Sequence, residues 1–457
     1  MRLAADLASG KPNEVLRRHV ARILASALAA VDPDRAVRKF VRRRTSTLRI
    51  GRRSYDLAAM RRILVVGAGK AGAPMAAALE SVLGDRIAAG IVNVKYGYTQ
   101  PLRRVQLIEA GHPLPDESGR RGAEAMLALL AGAGPDDLVI CILSGGGSSL
   151  LPAPPEPITL QQKVEVTELL LRSGAAIQEI NTVRKHLSTI KGGGLARAAA
   201  PARVAVIVLS DVIGDPIDAI ASGPAAPDPT TFGEALAILE RYGLQDRVAP
   251  EVRQRLRDGA DGRIPETAKP GDPIFTRVQT VIVGSNQSAA VAAVRQATAL
   301  GYRSLLVTTC LEGEAREAAR LLAGIGRSAR LAGIPSVPPA CVVAGGETTV
   351  TVHGTGTGGR CQEFALSAAL AVDGWPDVVV AAFGTDGTDG PTDAAGAVAD
   401  GTTIDRARQA GLNARRALDT NDAYPFFAAL GDLIVTGPTN TNVNDLYIVL
   451  VGVNREP

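Results

Sequence analysis

Short apolar runs alternate along the chain with segments of helical periodicity, and glycine-rich turns follow several of the runs. The first clear example is the apolar run 63–66, which ends in Gly67-Ala-Gly-Lys-Ala-Gly72 and precedes a helical pattern that extends to about Leu83. The same criteria predict strands at 89–94, 137–143 and 204–209 and helices at 160–172 and 175–190. Repeated strand–turn–helix units are typical of a doubly wound parallel sheet.

A second series of apolar runs begins at residue 279, with strands predicted at 279–283, 305–308, 340–344, 348–352, 378–383 and 446–451. The residues between the two series, 243–273, are charged, contain several Pro and Gly, and hold no long apolar run. A chain of 457 residues is too long for one ordinary core. We therefore predict two α/β domains, each a parallel or mostly parallel sheet flanked by helices, with boundaries at 1–245 for a Rossmann-like domain, 246–274 for a linker and 275–457 for the second domain.

Composition supports this fold class and excludes several kinds of function. Apolar residues make up 46% of the chain and aromatic residues 3%, so the cores must consist of Ala, Val, Leu and Ile. The net charge is +4 without a basic block that contains aromatic residues, so we expect no nucleic-acid partner. None of the four cysteines forms a CxxC pair, which is typical of core residues in the reducing cytoplasm.

No apolar run reaches membrane-spanning length, so no membrane association is expected. The basic, amphipathic stretch 14–31 predicts a first surface helix with Val15, Ile23, Leu24 and Leu28 facing the core. The composition also leaves room for a homodimer.

The turn after the first strand has the GxGxxG spacing of a phosphate-binding loop, with Gly67, Gly69 and a cation, Lys70, inside it. A dinucleotide site would need an acidic residue at the end of the next strand, but Asn93 occupies that position. Backbone donors beside an ammonium favour a phosphate or carboxylate ligand. A tight turn with an exposed lysine is the alternative interpretation.

A second anion-binding turn is predicted after the strand at 137–143. It consists of Ser144, Gly145, Gly146, Gly147 and Ser148. The segment lacks the GK[ST] ending of a P-loop, but three consecutive glycines suit a close approach of the backbone to a ligand.

Cations cluster further along the chain in Asn181-Thr-Val-Arg-Lys-His186, followed by Lys191 before a triple glycine. These groups suit nucleotide phosphates or a substrate carboxylate, and a solvated basic helix face is the alternative. His112 lies in a proline-containing turn and either contacts substrate or supports that turn.

Acidic residues follow two other predicted strands. The run 204–209 ends in Ser210-Asp211, and Asp211 could accept a proton from a substrate hydroxyl or hold Mg²⁺. Asp386 and Asp389 lie in Gly384-Thr-Asp-Gly-Thr-Asp-Gly390, where carboxylates in a flexible turn suit Mg²⁺ held together with phosphates. Arg360 begins a helix after a glycine-rich loop and is placed either to bind phosphate bidentately or to pair with Glu363.

Taken together and in order, these motifs resemble the class II glycerate kinases, the glycerate 2-kinase family with a MOFRL region. The matching stretches are 65–71, 111–116, 143–149, 180–188, 190–196, 209–215, 222–224, 358–360 and 384–390, which span nearly the whole chain. One departure is Cys361, where the family pattern has Asn.

The resemblance implies ATP-dependent phosphorylation of D-glycerate at its 2-hydroxyl, with Lys70 and Arg360 as active-site cations. We accordingly predict that ATP contacts the turns around Gly67–Gly69 and Ser144–Ser148, and that Mg²⁺ is held with help from Asp386 or Asp389. The rival hypotheses are a nicotinamide-dependent hydroxypyruvate reductase, and a sugar-phosphate isomerase or binding module.

Overall fold

The computed structural model describes residues 7–8 and 10–453, and the chain divides into two compact units. The larger unit is Pro33–Val283, and the smaller unit combines the residues up to Asp32 with those from Gly284 onward. This division differs from the predicted boundaries at both ends of the larger unit. The N-terminal helix α1 (Glu14–Ala30) belongs to the smaller unit. Residues 246–274, predicted as a linker, include a helix whose Val252 and Leu256 are buried in a core of the larger unit.

The larger unit begins with a helix and a three-stranded antiparallel sheet, which the sequence analysis did not predict. Its strands are β1 (Val41–Arg44), β2 (Thr47–Ile50), β3 (Arg53–Asp56), β4 (Arg62–Ala68), β5 (Ile87–Lys95), β6 (Val105–Ala110), β7 (Asp137–Leu143), β8 (Arg203–Leu209) and β9 (Val278–Gly284). Its α-helices are α2 (Pro33–Phe40), α3 (Gly72–Leu83), α4 (Glu117–Ala131), α5 (Gly147–Leu150), α6 (Leu160–Arg172), α7 (Ile177–His186), α8 (Gly194–Ala199), α9 (Phe232–Arg241) and α10 (Pro250–Ala260).

The main sheet of the larger unit has the strand order β6-β5-β4-β7-β8-β9. The pairings among β4, β5, β6, β7 and β8 are all parallel, with Val65 of β4 opposite Gly90 on one side and Ile140 on the other. This order is that of a Rossmann-like sheet, so the prediction for the first domain is confirmed. The order reverses between β4 and β7, and ligands bind at such a switch point, at the carboxyl ends of the strands.

The strand predicted to open the second domain belongs instead to this first sheet, where β9 lies beside β8. Val278 and Ile282 of β9 pack against the core that β4, β7 and β8 share. Its apolar pattern therefore marks the edge of the first sheet rather than the start of the second.

The smaller unit also has a six-stranded sheet, in the order β10-β11-β15-β12-β13-β14. Its strands are β10 (Arg303–Leu311), β11 (Ala340–Gly346), β12 (Val378–Gly384), β13 (Gly396–Asp400), β14 (Leu433–Ile434) and β15 (Asp445–Val451). Its helices after α1 are α11 (Asn286–Ala299), α12 (Ala315–Ala332), α13 (Arg360–Ala371), α14 (Thr403–Gln409), α15 (Ala414–Asp419) and α16 (Ala423–Leu430).

This second sheet is mixed, because β10 and β11 pair in parallel while the other pairings are antiparallel. The loop between β12 and β13 contains no helix and is too short for the crossover that parallel neighbours need. A helix-flanked α/β unit is thus confirmed. The predicted strand at 348–352 is wrong, since that segment forms a single bridge, between Thr349 and Glu314.

Helix α1 shows how far apolar periodicity alone could predict burial. Ile23, Leu24 and Leu28 are buried as predicted, but the side chain of Val15 is 60% exposed, so that assignment is wrong. The face also buries Arg17 completely, with nitrogen-to-oxygen distances of 2.7 Å to Asp400 and 2.9 Å to Asp432. Two carboxylates supply the counter-charge that a buried guanidinium requires. None of the helices within residues 7–8 and 10–453 is long and apolar enough to cross a membrane.

Candidate active site

The turns after β4 and β7 lie next to each other at the switch point of the larger sheet, and two glycines permit their close approach. Gly67 and Gly69 have φ values of +148° and +146°. A Cβ atom on Gly67 would lie 1.9 Å from the Ile142 carbonyl oxygen, and one on Gly69 would lie 2.0 Å from Ser144 Oγ. Glycine is therefore required at both positions by the packing of one turn against the other.

The backbone donors of the first turn are already engaged within the protein. The N–H groups of Gly69, Lys70 and Ala71 donate to the Asn93 carbonyl oxygen at 3.1 Å, the Gly145 carbonyl oxygen at 2.8 Å and Ser144 Oγ at 3.0 Å. This role differs from the phosphate cradle predicted around Gly67 and Gly69. The charged group of the first turn is the ammonium of Lys70.

The second turn has three backbone N–H groups without an acceptor among the described residues. They are the N–H groups of Gly145, Gly146 and Ser148. Ser144 itself is buried and holds the first turn, while Gly147 donates to the Ser144 carbonyl oxygen at 3.1 Å and begins α5. Several unsatisfied N–H groups in one turn form a concave site for an anion.

Lys191 supplies a buried cation beside this turn. Its Nζ donates to the Ser148 carbonyl oxygen at 2.7 Å, to Ser148 Oγ at 3.1 Å and to the Ala221 carbonyl oxygen at 3.4 Å. These acceptors are neutral, and no carboxylate among the described residues pairs with Lys191. Burial lowers the pKa of Lys191 well below its usual value. An ammonium buried without a counter-charge is stabilised when an anion binds next to it.

Ala221 and Ser222 also belong to this group, and neither was assigned a role from the sequence. Ser222 Oγ lies 2.8 Å from Ser148 Oγ and donates to Asn181 Oδ1 at 3.2 Å. Ala221, Ser222 and Gly223 have consecutive positive φ values of 50°, 61° and 62°. That backbone is costly for Ala and Ser, and it places the Ala221 carbonyl against Lys191. The segment 181–186 was predicted to bind phosphates or a carboxylate, whereas Ser222-Gly-Pro224 was assigned no role from the sequence.

His112 lies against the second turn near Lys70. A Cβ atom on Gly146 would be 2.8 Å from His112 Cδ2 and 3.6 Å from Lys70 Cγ, so all three residues share one region. Burial, together with the charges of Lys70 and Lys95, lowers the pKa of His112 to about 4. A neutral imidazole therefore faces this region at neutral pH.

The shifted pKa of His112 predicts a stability loss in acid. Its pKa falls from 6.5 to about 4 on folding, so between these pH values the unfolded chain binds a proton that the folded chain does not. The free energy of unfolding should fall as the pH is lowered through this window, by up to about 3 kcal/mol before solvent screening at this partly exposed ring reduces the figure. Chemical denaturation of the protein and of His112→Gln at several pH values measures this. If the free energy of unfolding falls equally in both proteins as the pH is lowered, the prediction is contradicted.

Asp211 is the second residue after β8, at the same edge of the sheet, and is half-buried. Ser210 Oγ accepts the Val212 N–H at 3.3 Å and shapes the loop there. The role of Asp211 as a general base stays a prediction.

In the smaller unit, Arg360 begins α13 and is held by two carboxylates. Its Nε and one terminal nitrogen lie 2.6 and 3.0 Å from the two oxygens of Asp445, and the other terminal nitrogen lies 2.7 Å from Glu347. Asp445 is buried, which raises its pKa, and also accepts the Tyr447 hydroxyl at 3.1 Å. The alternative pairing of Arg360 with Glu363 is wrong, because Glu363 binds Arg316 at 2.7 Å.

The two carboxylates predicted to hold Mg²⁺ have different surroundings. Both oxygens of Asp389 accept backbone N–H groups, from Cys361 at 3.1 Å and Gln362 at 2.8 Å, so this side chain caps the start of α13. Burial raises the pKa of Asp389 to about 7. Asp386 is half-buried and accepts the Thr388 N–H and hydroxyl, each at 3.1 Å. Within the described part of the chain, no three or more His, Cys, Asp or Glu residues form a group suited to a metal ion.

The structure thus brings Lys70, Lys191 and the second turn together in the larger unit, and it places Arg360, Asp386 and Asp389 in the smaller unit. Asp445 and Glu347 were missed by the sequence analysis, since they lie 85 and 13 residues from Arg360 and no local pattern links them.

Two family models match the chain, and several known proteins resemble it over nearly its whole length. Residues 19–257 match the family described as a domain of unknown function, DUF4147, and residues 340–445 match the MOFRL family. A glycerate 2-kinase from Pyrococcus horikoshii is 41% identical over 435 residues, which is 95% of this chain and 97% of that protein. A protein from Agrobacterium vitis with the provisional name hydroxypyruvate reductase is 44% identical over 443 residues, or 96% of each chain.

Among solved structures, the glycerate kinase from Thermotoga maritima superimposes with a TM-score of 0.86 and 40% sequence identity. The match covers 96% of this chain and 100% of that one. Similarity of this extent in sequence, domain content and fold shows that the chain belongs to the glycerate kinase family that combines a DUF4147 domain with a MOFRL domain.

Proposed function

We propose that the protein is an ATP-dependent glycerate 2-kinase, which phosphorylates D-glycerate at its 2-hydroxyl to give 2-phospho-D-glycerate. Relatives that cover nearly the whole chain carry this activity in their names. A cytoplasmic enzyme is consistent with four free cysteines, of which Cys141, Cys341 and Cys361 are buried.

The observation that carries the proposal is the second turn with Lys191. The N–H groups of Gly145, Gly146 and Ser148, which donate to none of the described residues, lie beside a buried ammonium whose acceptors are neutral. Such a site suits phosphate oxygens, because fixed backbone dipoles and a desolvated cation stabilise negative charge better than water does. Phosphoryl transfer depends mainly on this kind of positioning and charge stabilisation.

Within this proposal the cations and one carboxylate have separate roles. Lys70 and Lys191 neutralise charge on the phosphates that bind at the second turn. Arg360, whose plane is fixed by Asp445 and Glu347, stabilises negative charge in the transition state. Asp211 accepts the proton of the substrate hydroxyl as the new oxygen–phosphorus bond forms and the bond from the γ-phosphorus to the leaving ADP breaks.

A magnesium ion would offset the charge of the phosphates, and Asp386 is the residue that fits it best. Magnesium bound to a nucleotide commonly takes one or two protein carboxylates besides phosphates and water, so a three-carboxylate cluster is not required. Asp389 fits less well, since both of its oxygens already accept helix N–H groups.

The hydroxypyruvate reductase hypothesis fits the larger unit poorly. A nicotinamide cofactor at the first turn would need its N–H groups for the pyrophosphate, but those groups donate to Asn93, Ser144 and Gly145. At the end of β5, where a ribose-binding acid would stand, Asn93 is buried and donates to the carbonyl oxygens of Gly119 and Leu150.

Incubation with ATP, Mg²⁺ and D-glycerate, followed by phosphorus NMR, tests the proposal. We expect the 2-phosphoglycerate signal. A 3-phosphoglycerate signal would show that the 3-hydroxyl is phosphorylated instead of the 2-hydroxyl. The absence of any phosphorylated product would reject the kinase proposal. Oxidation of reduced nicotinamide by hydroxypyruvate without ATP would support the reductase instead, and phosphosugar binding without ATP consumption would support the isomerase or binding module.

A further inference from the structure

Arg184 lies in the last turn of α7 and is a partly exposed guanidinium without a hydrogen-bond or ion-pair partner among the described residues. Burial lowers its pKa. The next residue on the helix, Lys185, shows the usual arrangement, since its Nζ lies 3.3 Å from both Asp218 and Asp228.

The surroundings of Arg184 add positive charge. Arg184 lies close enough to Lys191 and Lys163 to lower their pKa values further, after burial has lowered them. Lys163 Nζ donates to the Leu187 carbonyl oxygen at 2.6 Å, so it too has a neutral acceptor. Three buried or partly buried cations therefore share one region, and no ion pair among the described residues joins any of the three to a carboxylate. This arrangement is unfavourable unless an anion enters.

Arg184 also belongs to the predicted phosphate site by its position on the helix. Asn181 lies three residues earlier, and residues with this spacing share one face of a helix. The Asn181 side chain accepts the Ser222 hydroxyl, which contacts Ser148 of the second turn. Arg184 is thus on the helix face that borders the second turn.

The cations of this region have different capacities for a ligand. Lys191 already donates to three oxygens, and the free N–H groups of the second turn suit the spherical array of phosphate oxygens. The guanidinium of Arg184 donates to none of the described residues, so two of its parallel N–H groups can donate to both oxygens of a carboxylate. In the proposed reaction, the carboxylate of the substrate keeps its charge throughout and needs one fixed partner.

We infer that Arg184 binds the carboxylate of the hydroxy-acid substrate and thereby selects acids over neutral polyols. The inference rests on the proposed function, since it names the contact that this site makes with glycerate. It assigns Arg184 a binding role, distinct from the charge stabilisation assigned to Lys70 and Lys191.

Steady-state kinetics of Arg184→Met and Arg184→Lys test the inference, with ATP and D-glycerate varied separately. We expect Arg184→Met to raise the KM for glycerate by about 100-fold, with the KM for ATP nearly unchanged. The KM of Arg184→Lys for glycerate should lie between those of the wild type and Arg184→Met, because an ammonium keeps the charge but not the planar pair of donors. Glyceramide, which has an amide in place of the carboxylate, should be a similarly poor substrate for the wild type and for Arg184→Met. The matched control is Arg172→Met on the exposed end of α6, which should behave as wild type.

Thermal unfolding provides a readout that does not depend on activity. Because Arg184→Met removes an unpaired charge, the unliganded variant should melt at the same or a higher temperature than the wild type. Added D-glycerate should raise the melting temperature of the wild type and not that of the variant. A raised KM for ATP with an unchanged KM for glycerate would overturn the inference, as would unchanged values for both. A wild type without kinase activity would instead reject the proposed function.

Discussion

Replacing Lys191 by Met should lower kcat for glycerate phosphorylation by about 1,000-fold and leave the protein folded. The ammonium of Lys191 contacts Ser148 within the turn whose N–H groups are free, so its charge is fixed next to the place where we expect phosphate oxygens. Met has nearly the same length and no charge. It removes a cation that the folded protein holds without a counter-charge, so the free energy of unfolding should stay the same or rise.

Lys163 offers a control with the same chemistry but without a contact to the second turn. It is also buried, burial also lowers its pKa, and its Nζ also donates to a carbonyl oxygen, that of Leu187. Lys163→Met removes the same charge without a contact to the second turn, so kcat should change much less than in Lys191→Met. Chemical denaturation and steady-state kinetics on both variants make the comparison. Equal losses of kcat, or a Lys191→Met protein that fails to fold, would show that Lys191 acts through the fold.

The comparison of Lys191 with its sequence signal shows what local pattern could predict. A lysine before three glycines indicated an anion contact, and the turns after β4 and β7 were predicted because Gly, Ser and Lys follow apolar runs there. The environment of Lys191, however, comes from Ser148 and Ala221, which are 43 and 30 residues away in the chain. Whether a cation has a carboxylate partner is a property of the tertiary structure, and periodicity does not encode it.

The same distinction applies to three residues whose contacts differ from those that their spacing suggested. Gly67 and Gly69 have the spacing of a phosphate-binding loop, yet their absent side chains make room for Ile142 and Ser144. Asp389 has the spacing of a metal ligand, yet both of its oxygens are used by the first turn of α13. Residue type and spacing predicted where these residues lie, and the neighbouring elements decide what they contact.

The fold was predicted best where one strand follows another with a helix between them. All the parallel strands from β4 to β8 except β6 were predicted, because such strands are buried on both faces and give continuous apolar runs. The polar strands β1–β3 were missed, since most of their residues are exposed. The central position of β15 in the second sheet, between β11 and β12, was not predicted because β15 lies far from both strands in the chain.

Replacing Arg360 by Lys should lower kcat by about 1,000-fold, the magnitude that a transition-state arginine commonly supplies in phosphoryl transfer. The side chain contacts Asp445 through two nitrogens and Glu347 through the third, so its plane is fixed by the protein. A lysine keeps the charge that the buried carboxylate of Asp445 requires, and the fold should therefore persist. It cannot keep the planar arrangement, because an ammonium is a single point of charge.

Arg316→Lys is the matched control for this change. Arg316 contacts Glu363 of α13 through two nitrogens, at 2.7 and 2.9 Å, so the variant disturbs a comparable arginine–carboxylate pair in the same unit. We expect it to retain kcat within a few-fold, with unfolding curves of both variants recorded as the measure of structure. If Arg360→Lys keeps near-normal kcat, positive charge alone suffices at this position. If Arg316→Lys loses as much activity as Arg360→Lys, the effect lies in the position of α13 and not in the guanidinium of Arg360.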